Sequence, residues 1–368
     1  MKIGILTFHC AINYGAVLQT YGLQETLKRM GHEVSVIDYC PDYLKRPYRL
    51  FFSERMKGHG LLDNLRMFVR ECFSFPYRYI RNREFSNFAY KHFSLQDMRR
   101  VSLSYHNDLI VIGSDQVWNP YITEGMDAIY WGMDSRIKDI KHISYAASSG
   151  STKALETIPI DKVREALKGF AAVSVRELSL AYYLNLHTSI TTQVVLDPVL
   201  LVGKESFLSL IPSAKKATKP YLLLFTLAGN KEAQRIAKRI AVEKNLDFKE
   251  IVSNNEILKD PSVIKGASPE SFLTYFQNAS YVVSTSFHGT AFAILFHKEF
   301  NVYCDNVNIG ERIQNLLQMV GLTDRMITAN SQSWDSKAPS INWSDVDTRL
   351  DVKRKESIDF LKNVLEKM

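Results

Sequence analysis

Tyr281-Val282-Val283-Ser284-Thr285-Ser286-Phe287-His288-Gly289-Thr290 runs on into Ala291-Phe292-Ala293-Ile294-Leu295-Phe296. A β-branched apolar run stops at small hydroxyl residues, and an apolar run of helical character starts just past Gly289. The stretch therefore reads as strand, tight loop and helix, with His288 in the loop. In an open α/β sheet ligands lie at the carboxyl ends of the strands, where the next helix offers unpaired N–H groups and a positive dipole end to an anion. His288 is accordingly a candidate for a pocket suited to phosphate or carboxylate. Gly289, without a Cβ, lets the backbone turn and approach a ligand. A buried histidine capping its own helix is the competing reading.

The same strand-then-polar-loop pattern recurs along the chain. Residues 3 to 8 read as a buried strand, Asn13-Tyr14-Gly15-Ala16-Val17-Leu18-Gln19 opens a helix ending at Gly31, and Glu33 to Tyr39 supplies a second strand. This β-α-β unit lacks G-x-G-x-x-G, so it is not a dinucleotide fingerprint. Asp108-Leu109-Ile110-Val111-Ile112 ends at Gly113-Ser114-Asp115-Gln116-Val117-Trp118. Asp115 there suits either a base or a helix N-cap. His142 to Gly150 repeats the pattern, and a helix near 160 to 169 leads to Val173-Ser174-Val175-Arg176-Glu177. An arginine closing an apolar strand commonly clamps a carboxylate or phosphate; an ion pair with Glu177 or another acid is the alternative.

A second half begins near Leu196-Asp197-Pro198-Val199, with the polar stretch Pro212 to Pro220 read as a linker or surface loop. Strands at Tyr221 to Thr226 and Phe248 to Val252 flank a helix over Lys231 to Asn245, and Ser268-Pro269-Glu270 opens another helix. A strand at Asn301 to Cys304 precedes Gly310-Glu311-Arg312-Ile313, read as a helix start. A cation in a first turn opposes the helix dipole and needs a bound anion or an acidic neighbour such as Glu311. We therefore expect an N-terminal domain over 1–205, a C-terminal domain over 206–343, and a terminal helix over 344–368 packing back on the first half.

At 368 residues, 46% hydrophobic and 23% charged, the chain has the composition of a folded globular protein. No apolar run reaches bilayer length and the start does not resemble a signal peptide, so a cytoplasmic protein is expected. Cys10, Cys40, Cys72 and Cys304 are scattered without zinc-type spacing, which suits a reducing compartment and argues against a structural metal. The net charge of +7 has one source: residues 44–100 hold 13 Lys or Arg against 5 Asp or Glu. That helical, basic and aromatic insertion over about 42–100 reads as amphipathic helices packed on the sheet, or as a platform for an anionic or membrane partner. Nucleic acid ranks last, because no binding module accompanies the charge.

Taken in order, the Asn13 to Gln19, Gly113 to Trp118, Ser174 to Glu177, Asp197 to Val199, Ser286 to Gly289 and Arg312-Ile313 motifs resemble the polysaccharide pyruvyl transferase family. The resemblance implies an α/β fold with two Rossmann-like domains in the GT-B arrangement and a cleft between them. It implies transfer of a pyruvyl group from phosphoenolpyruvate, a co-substrate rather than a cofactor, to sugar hydroxyls as a ketal. It also implies an acceptor that is a polysaccharide repeat unit or lipid-linked sugar, and with it a cytoplasmic protein able to sit peripherally at the inner membrane face. Arg176, Arg312, Ser286 and Gly289 would serve the donor, and His288 would be the general acid, with Asp115 the candidate base. Asn13, Tyr14, Gln19, Gly113, Ser114 and Trp118 would face the acceptor, and the scheme needs no metal. Described members often carry Arg two residues before the histidine, where this chain has Ser286. A GT-B sugar-nucleotide glycosyltransferase and a non-catalytic carbohydrate-binding subunit on the same scaffold are the alternatives.

Overall fold

Long β-branched and aliphatic runs buried on both faces are what a parallel sheet covered by helices requires, and this chain builds two of them. The structure, a computed structural model, describes residues 1–50, 60–98, 107–211, 219–227, 229–252, 262–305, 307–328 and 339–368. Most of the expected linker, residues 212–218, lies outside these, as do residues 51–59 and 99–100 of the basic insertion.

The first half runs β1 (Lys2–Leu6), α1 (Tyr14–Arg29), β2 (Glu33–Asp38), α2 (Asp42–Lys45), α3 (Leu61–His92), β3 (Leu95–Asp97), β4 (Leu109–Ile112) and β5 (His142–Ser144). It continues through α4 (Thr152–Leu155), α5 (Ile160–Leu167), β6 (Val173–Val175), α6 (Leu178–Thr188) and β7 (Thr192–Val194). Its sheet has the order β3-β2-β1-β4-β5, all parallel. Parallel bridges from Ile143 to Ala172 and from Ala147 to Val175 carry the sheet on into the β6-β7 pair. Two short helices, α7 (Pro198–Leu201) and α8 (Lys204–Leu208), mark the junction.

The second half runs β8 (Tyr221–Thr226), α9 (Lys231–Glu243), β9 (Asp247–Val252), β10 (Val263–Ile264), α10 (Pro269–Asn278), β11 (Tyr281–Ser284) and α11 (Phe287–Leu295). It closes with β12 (Glu299–Cys304), α12 (Val307–Val320), β13 (Met326–Thr328) and α13 (Trp343–Leu365). Its order, β10-β9-β8-β11-β12-β13, repeats the crossover of the first sheet, again with every pairing parallel. A strand order that reverses beside the first strand is the doubly wound Rossmann pattern, and here it occurs twice. The protein is thus an α/β chain of two Rossmann-like domains in a GT-B-type arrangement.

One apolar core joins the halves. Tyr14 of α1 stacks on Phe272 of α10 with ring centroids 4.4 Å apart, and its hydroxyl donates to the Ala267 carbonyl at 2.9 Å. Helix α13 crosses the junction. Near its start Trp343 stacks on His297 and Asp347 pairs with the same ring; near its end Phe360 meets Tyr145, while the Ser357 hydroxyl accepts from the Leu196 N–H.

Several sequence expectations need correction. Cys10 and Cys40, expected to be reduced, form a disulfide with Cα atoms 6.0 Å apart. Parallel pairing of β1 with β2 brings the loops after both strands together, a proximity that a separation of 30 residues conceals. Helix α11 starts at Phe287, before Gly289 rather than after it, because Ser286 is its N-cap and accepts from the Gly289 N–H at 3.0 Å. Helix α12 starts at Val307, which moves Arg312 from the first turn to the second. No helix among the described residues is long and apolar enough to cross a membrane.

Candidate active site

Four loops that follow strands meet where the carboxyl ends of the two sheets face each other. After β1 comes Asn13, whose side chain caps α1 by accepting from the Gly15 and Ala16 N–H groups. Asp115 follows β4, Arg176 follows β6, and His288 opens α11 after β11. A cavity of about 260 Å³ lies between the halves, lined by Asn13, Gly15 and Asp115 from the first and by Ser286, His288 and Arg312 from the second. Tyr43, Pro47 and Tyr48, from the start of the insertion, close its far side. A second cavity of about 370 Å³ adjoins it, sharing Phe287 and Arg312 as a wall and reaching Arg176, Glu177 and Asp197.

Asp197 organises this corner. Its Oδ1 caps α7 by accepting from the Val199 N–H at 3.0 Å. Its Oδ2 accepts from Arg176 Nη1 at 2.8 Å and stands 3.4 Å from His288 Nε2. Burial would push its carboxyl up, but the adjacent His288 and Arg176 outweigh burial and hold it well below the usual carboxylate range. The imidazole is fixed from the other side as well. A Cβ on Gly15 would lie 2.1 Å from His288 Nδ1, so the first turn of α1 can lie against the ring only as glycine.

The two arginines differ. Arg176 is buried and engaged by two acids: Nη1 on Asp197, and Nε on Glu177 Oε1 at 3.1 Å. Ser148 donates to that same Glu177 oxygen at 2.7 Å, and the guanidinium lies 4.6 Å over the Phe287 ring. Burial works against its charge, yet Glu177 and Asp197 outweigh it and hold Arg176 above its ordinary value. The ion pair with Glu177 is thus present, and of its guanidinium nitrogens Nη2 alone is buried without a partner. Arg312 forms no ion pair or hydrogen bond among the described residues, and its Nε is buried and unpartnered. Burial first, and the nearby Arg176 second, lower its pKa.

Asp115 lies in the left-handed region at φ 73°, which aspartate tolerates better than most residues, and its Oδ1 accepts from the Gln116 N–H. Its carboxylate lines the cleft.

Five residues expected to face the acceptor do not line the cleft. Tyr14 is part of the seam between the halves. Gln19 is fully buried and donates to Thr7 Oγ1 and the Ala16 carbonyl. Trp118 is fully buried, stacks on Trp131 and donates to the Tyr130 carbonyl. Gly113 passes beneath the Tyr145 carbonyl at φ 115°, and the Ser114 hydroxyl accepts from the Asp115 N–H in the interior. Gly289 also owes its identity to packing, because a Cβ there would meet Ser284 and Phe225 rather than a ligand. Conversely, Asp197 and Gly15 had no expected role beyond their place in the motifs, while Glu177 does pair with Arg176, the alternative left open above. Asp197-Pro198 read only as the start of the second half; Asp before Pro is also a cap signature, and even that does not reveal the second oxygen.

No curated protein matches the chain. Among solved structures it is similar to a putative UDP-N-acetylglucosamine 2-epimerase from Listeria monocytogenes, at 10% identity and TM-score 0.47 over 97% of this chain and 89% of that one. It is similar also to the Methanocaldococcus jannaschii UDP-GlcNAc 2-epimerase, at 12% identity and TM-score 0.46 over 100% of both chains. The order of the two sheets, rather than these distant likenesses, is what establishes the fold. The sequence model of one family, polysaccharide pyruvyl transferase, matches residues 13–303, a span that holds Asn13, Asp115, Arg176 and His288 but stops short of Arg312 in α12. The chain belongs to that family.

Proposed function

We propose that this protein transfers a pyruvyl group from phosphoenolpyruvate to two hydroxyls of a sugar, releasing phosphate and leaving a ketal. The observation that supports this reading most directly is Arg312, a cation with no ion pair or hydrogen bond among the described residues, in the wall between two adjoining cavities, with His288 opposite the first half of the fold. A guanidinium in a partly buried wall, with Asp115, Glu177 and Asp197 near it but none bonded to it, is costly for the folded protein, and a small dianionic donor would offset that cost. Arg312 and the helix N-terminus at Phe287 would hold its anionic groups. Arg176, already matched by two acids, would contribute chiefly by holding Asp197 and Phe287 in place.

His288 would act as the acid. Its proton goes to the methylene carbon of the donor, and one sugar hydroxyl adds to the neighbouring carbon. The bond from that carbon to the phosphate oxygen then breaks, and the second hydroxyl closes the ketal. One hydroxyl proton leaves with phosphate, and the other passes to a base that restores the imidazolium. Asp197, 3.4 Å from Nε2, and the first turn of α1 at Gly15 hold the ring in place for that transfer. Asp115, across the cavity, is the candidate for receiving a hydroxyl proton. The sugar would lie along Tyr43, Tyr48 and Gln116, which line the same cavity.

His288→Ala should lower phosphate release from phosphoenolpyruvate by about 10²-fold or more with a pyruvylatable acceptor present, while leaving thermal unfolding close to wild type. Thermal-shift titrations with phosphoenolpyruvate, UDP and GDP test the donor independently. Stabilisation by UDP or GDP but not by phosphoenolpyruvate would favour a sugar-nucleotide enzyme and overturn the assignment.

A further inference from the structure

Helix α3 carries apolar residues on both sides, with Phe85 and Phe88 buried and a second set turned outward. At about 100° per residue, Ser74, Arg78, Arg81, Phe85 and Phe88 fall on one stripe, and all five are buried. Arg78 donates to the Leu50 carbonyl and Arg81 to the Ile12 carbonyl, so two cations of this basic segment serve to anchor it inward. The opposite stripe holds Leu65, Phe68, Val69, Phe73, Tyr79 and Ile80, which are 46–66% exposed. Inward polar anchors with outward aromatic and aliphatic residues invert the ordinary surface helix. Apolar faces of this extent mark an interaction surface.

We infer that the outward face of α3, from Leu65 to Ile80, docks this protein on an anionic lipid surface. Charge selects that occupant. Residues 44–100 carry 13 Lys or Arg against 5 Asp or Glu; Arg78 and Arg81 turn inward, while Arg66, in an exposed pair with Asp63, and Arg83 stand exposed beside the apolar stripe. Lys265 adds a cation at its edge, 4.8 Å from the centre of the Tyr77 ring. An amphipathic helix with aromatic residues and a basic flank seats its apolar side among acyl chains while its cations meet headgroup phosphates. A second copy of the same face would bring like charges together. The inward anchors also connect this face to the cleft: Arg81 holds the carbonyl of Ile12, between cleft residues Ala11 and Asn13, and Asn82 holds that of Tyr48, itself a cleft residue. Docking through α3 would therefore set the cleft wall at a fixed height above the headgroups, where a lipid-borne sugar could reach it. The docking proposal itself does not depend on which donor the cleft binds.

Co-sedimentation of the full chain with vesicles of phosphatidylcholine containing phosphatidylglycerol, compared with phosphatidylcholine alone, tests it. The expected result is binding to the anionic vesicles, weakened at least about tenfold in about 0.5 M salt and by Phe68→Ser/Phe73→Ser, with unchanged thermal unfolding of that variant. Arg66→Glu/Arg83→Glu should weaken binding without removing apolar area. No binding to anionic vesicles, or equal binding by the Phe68→Ser/Phe73→Ser variant, would overturn the inference. So would a dimer, seen by sedimentation equilibrium, that dissolves on Phe73→Ser while vesicles bind nothing, since the occupant would then be a second copy.

Discussion

The carboxyl edges of the two sheets are built alike and used differently. On the first edge, polar groups are largely satisfied within the fold: Asn13 caps α1, Ser114 and Gln19 bond in the interior, and Arg176 is matched by Glu177 and Asp197. On the second, Arg312 forms no ion pair or hydrogen bond among the described residues, and His288 has the Asp197 carboxylate 3.4 Å from its Nε2. The first edge binds its charged groups to one another, and the second keeps a cation without a direct partner among the described residues. A loop motif that follows a strand therefore says where a residue stands but not whether it is still available to a ligand.

The sharpest way to break this comparison is to treat Arg176 as Arg312 should be treated. Arg176→Met removes the guanidinium bonded to both Asp197 and Glu177 and leaves two buried carboxylates without it, Asp197 keeping only His288 at 3.4 Å. Breaking a buried pair from one side costs about 3–5 kcal/mol, so denaturant unfolding should show a loss of that order. If Arg176→Met instead unfolds like wild type and loses only donor binding, Arg176 is a ligand residue and the two edges are alike after all.

A smaller change tests how the edges meet. Gly15→Ala places a methyl where the His288 ring lies, so either the ring turns away from Asp197 or α1 retreats. Overpacking of this kind costs about 1–3 kcal/mol. Turnover should fall by more than the stability loss explains, because the misplaced group is the proposed acid, whereas thermal stabilisation by phosphoenolpyruvate should survive. Wild-type turnover in Gly15→Ala would show that the contact is packing alone.

How far the residues announced this arrangement follows from what each signal contains. Strand runs such as Leu109–Ile112 and Tyr221–Thr226 were legible because both faces are buried, and the polar loops after them located the edge. Short strands such as Leu95–Asp97, Val263–Ile264 and Met326–Thr328 were not, because two or three residues carry no periodicity and exist through their pairing with a longer neighbour. Asn13, Asp115, Ser286, His288 and Arg312 were found to line the cleft, while Tyr14, Gln19 and Trp118 turned inward. The local pattern alone does not distinguish those outcomes: Trp118 and Gln116 are two positions apart in one loop, and Trp118 is drawn inward by Trp131 and Tyr130 from another turn of the chain, while Gln116 is held by Asn119 of the same loop. Asp197 was visible as the opening of the second half, yet its role beside His288 depends on a residue 91 positions later. Cys10 and Cys40 needed the β1-β2 register before their pairing could be seen.

The mildest change is the most discriminating between wall and site. Arg312→Met keeps the length and much of the volume of the side chain but removes a charge that burial and Arg176 both disfavour. Residues held for function at the expense of stability commonly return about 1 kcal/mol when replaced by an apolar group. We therefore expect Arg312→Met to unfold at a slightly higher denaturant concentration than wild type, with an unchanged slope, while stabilisation by phosphoenolpyruvate disappears. Arg176→Met should move stability in the opposite direction, although both substitutions delete a guanidinium from the lining of the same larger cavity. Loss of stability in Arg312→Met would mean that Asp115, Glu177 and Asp197 already neutralise it through space, and that the second edge, like the first, is complete without a ligand.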